Sequence, residues 1–191
     1  MTNHIRILGI AGSLRAQSYN LMLLQAAQEL LPAEVELEIY SLEDLPLYNQ
    51  ELEQDLPVSV LRLKQAIKRA DAILFTTPEY NYSIPGVLKN AIDWASRPGG
   101  ESAWAGKPAA IAGASPGVLG TARAQYHLRQ ILVALDVTAV NQPEVMIGNA
   151  SERFDANGRL VDDKSRHFFS LLLNNLLELI RRFPQKGGED E

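Results

Sequence analysis

The sequence predicts an α/β fold, a doubly wound sheet of five parallel strands with helices on both faces. Three observations predict it. Short apolar runs and helix-period patterns alternate five times along the chain. The runs at residues 5–11, 72–75 and 109–114 are nearly unbroken in apolar character, as strands covered on both faces must be. The same three runs end in turn residues, Gly12-Ser13, Thr77-Pro78 and Ser115-Pro116-Gly117, so the strand ends open into loops.

Residues 5–11 form the first predicted strand, and residues 18–31 the first helix, with Leu21, Leu24 and Leu31 on one face before Pro32 closes it. Residues 35–39 alternate apolar and acidic positions, the pattern of an edge strand with one wet face. Pro57 opens a second helix. After the strand at 72–75, a third helix is expected from Pro85 to Arg97, ended by Pro98-Gly99-Gly100. The strand at 109–114 leads to a helix over 121–135 and a fifth strand over 137–140. Asn157-Gly158 marks a small hairpin turn, and the last helix covers 162–183. One domain over 1–184 is expected, with 185–191 a disordered polar tail.

Composition narrows the function. Eighteen basic against 23 acidic residues leave a net charge of −5, which offers no footprint for nucleic acid. No cysteine is present, which removes disulfides, thiolate metal sites and a cysteine nucleophile together. His4, His127 and His167 are far apart and lack acidic neighbours at ligand spacing, so no metal site is expected. No signal peptide or membrane span is read, and a cytoplasmic setting is the expectation.

In a doubly wound sheet, ligands bind beyond the carboxyl ends of the strands, which directs attention to three loops. The first carries Ser13, Arg15, Ser18 and Asn20 ahead of a helix N-terminus. Main-chain amides, a helix dipole and one guanidinium suit a monophosphate there, although Ser18 reads equally as a plain N-cap. The loop has neither the Gly-Lys-Ser/Thr ending of a P-loop nor the Gly-x-Gly-x-x-Gly fingerprint. The second loop, residues 76–86, is bounded by Pro78 and Pro85; its main chain could read the edge of a planar heterocycle, with Tyr80 or Tyr82 covering a ring face. Glu79, its one carboxylate, either braces the loop or tunes a proton. The third loop, with Ser115, Gly117 and Gly120, lets backbone approach a flat ligand closely.

These segments together resemble the NADPH-dependent FMN reductase family, in its quinone- and chromate-reducing branch. The resemblance is carried by Gly12-Ser13-Leu14-Arg15 with Ser18 and Asn20, by the ungapped run from Pro78 to Gly86, by Leu88 to Trp94, and by Gln125 to Gln130. It implies a flavodoxin-like strand order of 2-1-3-4-5 and bound FMN. It implies that Ser13, Arg15, Ser18 and Asn20 cradle the FMN phosphate, that Pro78, Glu79, Tyr80, Asn81 and Ser83 line the ribityl chain and ring, and that Ser115 and Gly117 border the ring. It implies NADPH or NADH as donor, a small-molecule acceptor, and a homodimer or homotetramer with the helices at 85–94 and 121–135 between subunits. No catalytic side chain is then needed, because the flavin carries the chemistry. The competing classes are a flavodoxin-like electron carrier and an FMN-binding redox sensor; the absence of aromatic residues from the third loop favours an open ring face and hence an enzyme.

Overall fold

The computed structural model describes residues 4–183. The expected tail at 185–191 lies outside the described residues. Five strands take the order expected: β2 (Val35–Tyr40), β1 (Ile5–Ala11), β3 (Ala72–Thr76), β4 (Pro108–Ala114) and β5 (Thr138–Ala139), with every pairing parallel. Register brings Ala11 opposite Thr76, and Thr76 opposite Ala112. The carboxyl ends of the three central strands therefore stop at one level, and their loops share one edge of the sheet.

Each face of the sheet buries its own core. Helices α1 (Tyr19–Leu30) and, at the far end of the chain, α5 (Asp163–Arg182) cover Ile7, Leu37, Leu74 and the alternate alanines of β4. Helices α2 (Val58–Arg69), α3 (Gly86–Ala95) and α4 (Ala122–Ala134) cover Leu8, Ile10, Ile73, Phe75 and Ile111. Strand β4 reads Pro-Ala-Ala-Ile-Ala-Gly-Ala and is buried along its whole length, so it holds the middle of both cores with minimal bulk. At Gly113 a β-carbon would lie 2.0 Å from Thr121 Oγ1 and 2.4 Å from the Thr77 carbonyl, so only glycine fits.

The fifth position in the sheet differs from the single strand expected at 137–140. β5 pairs only with Pro108 and Ala109, and a further strand, β6 (Val145–Ile147), pairs with Ala112 to Ala114. Between them lies the cis peptide Gln142–Pro143; proline has no N–H for the ladder, so the chain leaves the sheet and re-enters it. Gln125 of α4 donates to Thr121 Oγ1 and to the Val145 carbonyl, both at 2.9 Å, and so ties β6 to the helix. The hairpin at Asn157-Gly158 is present, closed by the bridge Phe154–Leu160 with Gly158 at φ 79°.

Candidate functional site

The first loop runs from β1 into α1. Ser18 is the N-cap, its buried hydroxyl accepting from the Asn20 amide at 3.2 Å, and the first turn of α1 holds no acidic residue. Asn20 is 2% exposed and reaches across to β4, donating to the Ala114 carbonyl and accepting from the Ala114 N–H, each at 3.0 Å. Its own carbonyl accepts from Thr76 Oγ1 at 2.8 Å. Asn20 thus stitches three elements together beneath the loop. Ser13 Oγ accepts from the Arg15 amide at 3.4 Å, and the exposed Arg15 guanidinium donates to the Gln17 carbonyl at 3.1 Å.

The second loop is more tightly held than its sequence shows. Tyr80 and Ser83 exchange two main-chain bonds of 3.0 Å, making a two-residue hairpin whose central residues, Asn81 and Tyr82, have φ of 50° and 68°. This is the positive-φ geometry of a type I′ turn, which favours Asn first and glycine second. Glu79, with a side chain 5% exposed, caps α4: it accepts from the Arg123 amide at 2.9 Å, the Ala124 amide at 3.2 Å and Arg123 Nε at 2.5 Å. The Arg123 guanidinium lies over the Tyr82 ring, 3.7 Å from its centroid. His127 Nδ1 sits 3.0 Å from Ser83 Oγ. Nearby on α4, the Tyr126 hydroxyl donates to Glu144 at 3.3 Å, and that carboxylate holds the phenol pKa above its ordinary value.

The third loop lies against the end of β6. Ser115 donates through its N–H to the Ile147 carbonyl, and the Asn149 N–H reaches the Gly117 carbonyl. A β-carbon on Gly148 would stand 2.3 Å from the Val118 carbonyl, so glycine permits this close approach. Between the three loops is a cavity of about 250 Å³. Of the residues expected from the sequence, Ser13, Arg15, Ser18, Asn20, Pro78, Glu79, Tyr80 and Ser115 line it. Asn81, Ser83 and Gly117 do not. Tyr19, Ala114 and Pro116 line it without having been singled out. Next to it, sharing Ser13, Arg15 and Tyr80 as a wall, is a second cavity of about 420 Å³ that adds Leu14, Pro85 and Val87. Their signal in the sequence was weak, since an isolated Leu or Val beside a turn is commonplace.

The donor set fits a phosphate monoester attached to a planar group. Two serine hydroxyls, one guanidinium and a helix N-terminus free of acidic residues meet at the smaller cavity. Glu79, the carboxylate in its wall, is already matched by α4 amides and Arg123, so its charge is balanced within the protein. The larger cavity offers apolar walls.

Residues 5–152 match the sequence model of the NADPH-dependent FMN reductase family. The chain belongs to that family. It is an oxidoreductase that uses FMN as cofactor and a reduced nicotinamide as donor. Similar to it are an NAD(P)H-dependent FMN reductase of Pseudomonas aeruginosa, 54% identical over 95% of this chain and 98% of that one, and a 2-hydroxy-1,4-benzoquinone reductase of a Burkholderia species, 44% identical over 93% and 97%. Among solved structures, the flavoenzyme NAD(P)H:(acceptor) oxidoreductase FerB of Paracoccus denitrificans superimposes with a TM-score of 0.87 at 41% identity, covering 93% of this reductase and 98% of FerB. Among the described residues of the reductase, no helix is long and apolar enough to cross a membrane, and no three His, Cys, Asp or Glu side chains gather as a metal site.

Proposed function

We propose that this reductase passes electrons from NADPH or NADH, through bound FMN, to quinones, with donor and acceptor using one open face in turn in a ping-pong cycle. The observation that carries the reading is the pair of adjoining cavities at the strand ends, one polar and suited to phosphate, the other apolar and open. When bound, FMN supplies the redox chemistry, taking up two electrons from one partner and yielding them to the next. The chain's own residues bind and orient. Ser13, Ser18 and Arg15 offer donors to the phosphate at the N-terminus of α1. Asn20 holds that loop against β4, a supporting role in place of direct phosphate contact. Pro78 and Tyr80 would wall the ribityl chain and ring from the second loop, and Ser115 would do so from the third. Leu14 and Val87 offer an apolar surface to a planar acceptor.

Because a reduced flavin on an open face is chemically permissive, we include azo and nitro compounds, free flavin and chromate as further acceptors. Assembly as a homodimer or homotetramer is supported by side chains left exposed on α4, Tyr126 at 51% and Val133 at 80%. A cytoplasmic setting belongs to the same proposal, and the absence of cysteine is compatible with it. The deciding experiment is the absorption spectrum of the purified protein under anaerobic conditions. Flavin bands that bleach with NADPH or NADH and return with a quinone are the expected result. Bands indifferent to both donors would assign the protein to electron carriers or sensors, and failure to take up added FMN would end the reading.

A further inference from the structure

We infer that Glu79 is a positioning residue, whose carboxylate holds the hairpin at residues 80–83 in its working shape without itself touching the cofactor. The inference rests on the reading that this loop walls the FMN site. A carboxylate has about four acceptor positions. One Glu79 oxygen receives the amides of Arg123 and Ala124; the other receives Arg123 Nε and pairs with the same guanidinium. Little acceptor capacity is left for a ribityl hydroxyl, and the positive end of α4 already balances the charge.

What the carboxylate holds is a turn that its own sequence does not favour. A type I′ turn needs positive φ at both central residues, and Asn81 accepts this readily. Tyr82, at φ 68° and 66% exposed, stands where glycine belongs. Burial does not fix a ring that faces solvent. Its partner is the Arg123 guanidinium across its face. Glu79 fixes that guanidinium, and Glu79 is also the residue that immediately precedes the hairpin. The carboxylate therefore clamps the hairpin twice: through the chain at residue 79, and through Arg123 and Tyr82 at the turn. Since the third loop leads into α4, the same contact sets the spacing between two walls of the cavity.

The test is FMN titration of the apoprotein by fluorescence quenching, with thermal midpoints measured alongside. Glu79→Ala is expected to weaken FMN binding about 10- to 100-fold, the scale of one residue released from a strained conformation. Adding Tyr82→Gly to Glu79→Ala creates an Asn-Gly turn that holds type I′ geometry by itself, and most of the lost affinity is expected to return. Tyr82→Gly alone is expected to leave affinity near that of the native protein. Loss in Glu79→Ala that the second substitution does not restore would make Glu79 a direct ligand and overturn the inference. So would unchanged affinity in Glu79→Ala, or a loss in Tyr82→Gly alone. If Glu79→Ala does not fold, Glu79→Gln, which keeps the size and one acceptor oxygen, replaces it with the same rescue expected. A native protein that takes up no FMN fails the proposed function itself, and that is seen before any variant is made.

Discussion

At the scale of single residues, two members of the first loop separate cleanly by burial. Arg15 is exposed, and among the described residues its guanidinium meets a neighbouring carbonyl of its own loop, so Arg15→Ala removes little from the fold. FMN retention is expected to fall about tenfold or more, the worth of a charged hydrogen bond to phosphate, with the apoprotein thermal midpoint unchanged. Equal FMN affinity in a dialysis experiment would take Arg15 out of the phosphate site. Asn20 is the opposite case. Asn20→Leu leaves the Ala114 N–H and C=O buried without partners, and urea unfolding of the apoprotein is expected to show a loss of about 2–5 kcal/mol. The residue type announced a polar role, but the partner 94 positions away was beyond any local pattern.

At the scale of elements, the helix ends and one strand carry the sharpest consequences. Asp162 caps α5, accepting from the Ser165 amide and hydroxyl at 2.8 and 2.6 Å and pairing with Arg153 at 2.8 Å. The Ser165 side-chain and backbone bonds, followed by the Arg153 charge, hold its pKa below the usual carboxylate range. A depressed folded pKa means that the stabilisation is full above the unfolded value, about 4, and fades as pH falls through the lower folded value. The stability gap between the native protein and Asp162→Ala, about 1 kcal/mol near neutrality for a lost cap, is expected to narrow as pH falls below about 4. A gap constant across that range, measured by denaturant titration at each pH, would mean that the charge plays no part. In β4, Gly113→Ala forces a methyl into Thr121 and the Thr77 carbonyl, and the expected loss is about 1–3 kcal/mol by thermal unfolding. Apolar positions at helical spacing made α1 to α5 legible because each buries one face. β6 was not read, because three residues between a proline and a glycine carry too little period to register.

At the scale of the whole molecule, the site belongs to no single element. Its walls come from loops after three strands, braced by α1 on one face of the sheet and by α4 on the other. A ligand spanning those walls ties the two halves of the core together. Saturating FMN is therefore expected to raise the apoprotein thermal midpoint with FMN concentration, by about 2.7 kcal/mol of stabilisation at a hundredfold excess over Kd. A midpoint indifferent to FMN in a thermal shift series would show that the cofactor does not bind across the loops.

The sequence alone determined the fold class, the strand order through its resemblance, the three loops and most of the residues that line the cavity. It could do so because strand and helix periods, turn residues and helix caps are properties of neighbours along the chain. Tertiary structure alone decided which partners these side chains take and which of them line the cavity. Glu79 turned to the end of α4, 44 positions away, and Asn20 to the end of β4, while Asn81 and Ser83 left the cavity wall for a strained hairpin. The reason is physical. A polar side chain takes whichever partner satisfies it in the packed interior, and that partner is set by how the helices dock on the sheet, which no local pattern encodes.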